Sequence, residues 1–169
     1  MKAIVCDVRR ALAGRWFWAA LLATTAALYL SIGQAADALM DDTQNLRFTL
    51  SELLLMALYG DFGILTLPAL SALPFAAQAL HEIKCGAVRP AVFRAGRRMW
   101  ILGKAAGCIL SGMVLQAAAA GLLGLILYAV RGRGILLEIN AEFNAALLRR
   151  MLCGGIWASV GCVMALATE

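Results

Sequence analysis

The chain has 169 residues, 63% of them hydrophobic and only 15% charged, with a mean hydropathy of +0.82. Those values exclude an ordinary water-soluble domain, which would be roughly half apolar and about a quarter charged. The formal net charge of +5 does not call for nucleic acid, because Lys and Arg are retained on the cytoplasmic side of membrane proteins and so report orientation. Long apolar runs separated by charged islands are what a bilayer demands, since each span must satisfy its own backbone. The expected fold is all-α: a single polytopic membrane domain, with an amphipathic interfacial helix followed by four transmembrane helices.

In residues 1–15, Met1, Ile4, Val5, Val8 and Leu12 recur at helical spacing, with Lys2, Arg9, Arg10 and Arg15 largely off that stripe. Such a helix lies on an anionic surface and leads into a span. Residues 16–32 form the first apolar run, opened by Trp16, Phe17 and Trp18, aromatics suited to the headgroup level. A cleaved signal peptide competes there: the leading region is basic and Gly33-Gln34-Ala35 is a tolerable cleavage site, but the run is long for that purpose and further spans follow.

Residues 33–52 are polar and mainly acidic. The next apolar region, Leu53 to Leu80, would reach about 42 Å as one helix, more than the roughly 30 Å hydrocarbon core needs. It is interrupted at Gly60-Asp61, so the spacing predicts a span over 62–80 with 53–60 as an interfacial or tilted lead-in. Asp61 is then expected near the headgroups. Residues 81–98 form a basic island, and the third span covers 99–130. In it Gly103, Gly107 and Ser111 recur every fourth residue, one smooth face for helix packing. The last apolar run, 151–167, carries Gly154, Gly155 and Gly161.

Charge counting sets the expected orientation. With the N-terminus and residues 81–104 inside, ten of the fifteen basic residues are cytoplasmic against Asp7, Glu82 and Glu169. Five basic and seven acidic residues remain outside. Both ends are expected in the cytoplasm of a cell with a plasma or inner membrane. Arg131, Arg133, Arg149 and Arg150 then flank the final loop on the outer side.

Catalytic and metal constellations fail on residue type. His81-Glu82-Ile83-Lys84-Cys85 begins like a zinc helix, but Cys85 stands where the second histidine belongs and His81 is the chain's one histidine. Gly103-Lys104 is followed by Ala105 rather than Ser or Thr, and position 98 is Arg98 rather than glycine, so no phosphate loop forms. Cys6, Cys85, Cys108, Cys153 and Cys162 are widely spaced and read as reduced thiols. Apart from Asp61, no ionisable residue sits well inside an apolar run, which argues against a carrier with its own ion coupling. No catalytic residue, metal site or cofactor is expected.

The stretch from Leu65 to Leu123 holds, in order, a proline-bearing span, an acidic turn (Glu82…Gly86), an arginine cluster (Arg94…Arg97-Arg98) and Gly103-Lys104 opening the next span. In that order and spacing it resembles the core of type-2 ABC exporter permeases. The amphipathic N-terminal helix adds to the likeness. The resemblance implies that 81–98 is a coupling segment docking on a separate ATP-binding subunit through Glu82, Gly86, Arg94, Arg97, Arg98 and Lys104. It implies also a second permease copy or sibling, and export of a hydrophobic or amphipathic substrate. Such permeases carry six spans and this sequence supports four, the pattern of a truncated or split permease. The competing expectation is a non-transporting membrane immunity, sensor or scaffold protein, whose basic loop only holds lipid phosphates.

Overall fold

A computed structural model describes residues 9, 12–40, 50–86, 93, 96–131 and 140–167. Most of the expected interfacial helix, Arg94 and Arg133 lie outside them. The described chain is helical: α1 (Arg15–Met40), α2 (Leu50–Tyr59), α3 (Asp61–Lys84), α4 (Arg97–Arg131) and α5 (Ala141–Ala167). Four of these hold segments long and apolar enough to cross a membrane: Arg15–Gly33, Asp61–Glu82, Trp100–Ala129 and Ala141–Ala165. This is an all-α, multi-pass membrane protein.

The helices form because Ala, Leu and other straight-chain residues dominate them, and because interior hydroxyls do not compete with the helix. Thr24, Thr25 and Ser31 donate to carbonyls one turn back, Ala20, Leu21 and Ala27, at 2.7, 2.8 and 3.0 Å, which hides their polarity in an apolar setting. Pro68 and Pro74 lie inside α3. Each removes one ladder donor, a loss that transmembrane helices tolerate when neighbours compensate.

The break between α2 and α3 falls at Gly60, where the sequence puts it. A Cβ on Gly60 would stand 2.6 Å from Ser31 Cβ, so only glycine lets α1 approach this corner. The Ser31 hydroxyl accepts the Gly63 amide at 2.9 Å, capping an otherwise orphaned donor in the first turn of α3 from a different helix. Asp61 opens that turn and is exposed.

The spans pack as a bundle, with α4 against α5, α5 against α3, and α1 against α3 and α4. α2 is seated among α1, α4 and α5. Leu28, Leu53, Ala57, Leu115 and Leu123 fill the main core, while Phe75, Cys108 and Cys162 make a second one. Lipid offers no hydrophobic drive to bring helices together, so small residues set the closest contacts. A Cβ on Gly112 would meet the Gly154 carbonyl oxygen at 2.5 Å and Ala158 Cβ at 2.7 Å. Of Gly112, Gly154 and Gly155, which meet across the α4–α5 interface, Gly112 leaves the least room.

The last helix departs from the sequence expectation. It begins at Ala141 rather than Met151, so Arg149 and Arg150 belong to the helix instead of flanking it. The reason is a matched set of acceptors in the bundle for one of the two guanidinium groups.

Candidate functional site: a buried arginine at a helix break

Arg150 is 6% exposed. It projects from α5 to the α2–α3 corner, where Nη1 donates to the Leu58 carbonyl at 2.6 Å and Nη2 to the Gly63 carbonyl at 2.8 Å. Its Nε donates to Gln116 Oε1 on α4 at 3.2 Å. Gln116, fully buried, passes the chain on by donating from Nε2 to Ser71 Oγ of α3 at 2.7 Å. Four helices meet through one guanidinium and one amide.

The electrostatics are those of a cation at the carbonyl end of a helix. α2 ends at Tyr59, and its last-turn carbonyls carry the negative end of the helix dipole. Leu58 is among them. Among the described residues no carboxylate pairs with Arg150; backbone oxygens and an amide carry the neutralisation. Arginine suits this because its planar fork presents several donors in fixed directions and is more weakly hydrated than an ammonium. Arg150, expected to flank the last apolar run, is instead buried in the helix segment Ala141–Ala165. Lys104, in the second turn of α4, is also covered, at 8% exposed.

Lys104 anchors the opposite end of the bundle. Its Nζ lies 2.7 Å from Glu82 Oε2 and 5.8 Å from the centre of the Phe75 ring, an ion pair joined by a cation–π contact. This ties the last turn of α3 to the second turn of α4. Of the residues the sequence associates with docking, Glu82 and Lys104 are thus brought together, Lys104 largely covered. Gly86 is exposed, with φ +67°, a conformation that favours glycine. Arg97 and Arg98 open α4. Arg94 lies outside the described residues. His81 and Cys85, the would-be zinc pair, face each other at 3.7 Å on the exposed end of α3. Among the described residues no three His, Cys, Asp or Glu side chains gather.

The expected packing stripe on α4 is partly interior. A Cβ on Gly107 would be 3.2 Å from Phe75, and Ser111 is buried with its hydroxyl on the Cys108 carbonyl at 2.9 Å. Gly103 is half-buried. Sequence reasoning missed Arg150, Gln116, Ser71 and Gly112. The available signal was Gln116, an amide in the middle of an apolar run, which in a membrane needs a polar partner on another helix.

No family model matches this chain, and no curated protein and no solved structure matches it. The fold defines its class, a multi-pass helical membrane protein.

Proposed function

We propose that this chain is the membrane-spanning subunit of an ATP-driven exporter, a permease of the type-2 ABC kind. It would work with a separate ATP-binding subunit and a second permease copy or sibling in the cytoplasmic membrane, both termini inside. The observation that carries this reading is the Glu82–Lys104 pair at 2.7 Å. It ties the end of α3 to the start of α4, so that a push on the segment between them would move both spans together. Lys104 rests on Phe75, which packs with Cys108 and Cys162, and this extends the linkage to α5. A basic segment held between two tied helix ends is a suitable lever for a soluble motor protein, with Arg94, Arg97 and Arg98 as its contacts. The substrate would be hydrophobic or amphipathic.

The test is co-purification in mild detergent from the native membrane. An ATPase should accompany the chain, and charge reversal at Arg94, Arg97 and Arg98 should release it while the helical content holds. An ATPase that stays bound to the reversed variant, or none at all, overturns the proposal. The Arg150–Gln116–Ser71 network favours a second reading, a non-transporting membrane component of immunity, sensor or scaffold type. Its interior polar groups satisfy one another, as in a static bundle. That reading gains if no nucleotide-binding partner is recovered.

A further inference from the structure

Beside the buried Arg150 sits a second arginine in the opposite situation. Arg149 is exposed on α5 and makes no ion pair or hydrogen bond among the described residues. It lines a groove of about 500 Å³ between α2 and α5, whose floor and walls include Leu55, Met56, Tyr59 and Ala146 and whose other charged member is Glu142. That volume lies within the range of about 300–1,000 Å³ usual for pockets that hold small ligands.

The depth of this groove follows from α5 itself. Its 27 residues span about 40 Å, some 10 Å more than the hydrocarbon core. The polar residues Glu142, Asn144, Arg149 and Arg150 are all in its first half, so the surplus length is at that end. Arg149 therefore stands at the boundary between headgroups and acyl chains. The Cα of Glu142, seven residues earlier on the same face, lies about 10 Å further toward water, a gap that the long Arg149 side chain narrows because helical side chains lean toward the N-terminus. A bare guanidinium at the boundary attracts a lipid phosphate, which it can grip with two parallel donors. A carboxylate above it repels a second negative charge and attracts an ammonium. In a zwitterionic phospholipid the amine lies on the water side of the phosphate, the same order as Glu142 above Arg149.

We propose that the α2–α5 groove is a binding site for a zwitterionic glycerophospholipid with a primary-amine headgroup, the phosphate on Arg149, the ammonium on Glu142 and one acyl chain along Leu55 and Met56. The primary amine is specified because a carboxylate accepts N–H donors, which a quaternary ammonium lacks. This site does not depend on the export reading, since it requires only the membrane fold.

The experiment is native mass spectrometry of the full chain released from nanodiscs holding equal parts phosphatidylethanolamine, phosphatidylglycerol and phosphatidylcholine. The expected result is retention of phosphatidylethanolamine at least threefold above either competitor. Arg149→Gln should lower that retention at least fivefold. Glu142→Gln should retain lipid but erase the preference over phosphatidylglycerol. Leu55→Trp, which fills the groove and leaves both charges, should also lose the lipid, and serves if Arg149→Gln does not fold by circular dichroism. Equal or greater retention of phosphatidylglycerol by the unaltered chain overturns the proposal. So does a lipid-free protein, a dimer that carries none, unchanged selectivity in Glu142→Gln, or unchanged retention in whichever of the other two variants folds.

Discussion

Replacing Arg150 by methionine removes three hydrogen bonds at once, to Leu58, Gly63 and Gln116, while roughly keeping the volume. Interhelical hydrogen bonds in membrane proteins are worth about 0.6 kcal/mol on average and up to about 1.7, so three of them amount to about 2–5 kcal/mol. Opposing this is the desolvation cost of the guanidinium, which methionine does not bear, and which in some soluble proteins makes an apolar replacement stabilising. Here the bonds win, because removal also takes the side-chain donor from the Gln116 amide oxygen and from the Leu58 carbonyl in a buried site. The assay is reversible unfolding of the purified chain in mixed detergent micelles, followed by circular dichroism. Arg150→Met should unfold with a loss of about 2–5 kcal/mol. Arg150→Lys, which keeps the charge but not the fork, should fall between it and the unaltered protein. A double-mutant cycle with Gln116→Leu should give a coupling of about 0.6–1.7 kcal/mol. A methionine variant as stable as the parent, or more stable, refutes the reasoning and makes the network incidental.

Three further outcomes rest on the packing. Gly112→Ala and Gly154→Ala each thrust a methyl into a neighbour at 2.5–2.6 Å, and should cost about 1–3 kcal/mol in the same unfolding assay. Gly121→Ala has nothing within 4 Å of its new Cβ and should be neutral or stabilising by up to about 1 kcal/mol. In membranes, Cys85, exposed at the end of α3, should react with a charged maleimide, whereas Cys108 and Cys162 are buried and should not. With the proposed orientation Cys85 is modified only after the cells are opened; modification in intact cells reverses the topology.

Hydropathy sufficed to read the four spans, because lipid imposes one requirement on every residue of a crossing helix. The Gly60-Asp61 interruption was legible for a similar reason: the apolar stretch was too long for one crossing. The start of α5 was not. Two adjacent arginines look like the end of a membrane segment when judged by their neighbours in sequence. What admits Arg150 to the interior is Leu58 and Gly63, placed beside it by folding and far from it in sequence. The small-residue stripe shows the same limit. Gly107 and Ser111 are buried, yet Gly112, one residue over, leaves less room for a Cβ than Gly107, because the position of α5 decides which face of α4 matters.

The spans differ in apolar length. Arg15–Gly33 holds 19 residues and Trp100–Ala129 holds 30, about 28 Å beside about 45 Å. One flat bilayer cannot suit both. The first matches an ordinary hydrocarbon thickness, and the second exceeds it by about 15 Å, more than a lean of 40° would absorb. The long helix is accommodated by lipid that thickens beside it, or by ends that stand in the headgroups, and in either case the apolar girdle differs in height around the protein. Hydrophobic mismatch of this kind costs fractions of a kcal/mol per ångström. The cost falls when neighbours share the deformation, which gives the protein a reason to gather with others of its kind or to settle in a thicker patch of membrane.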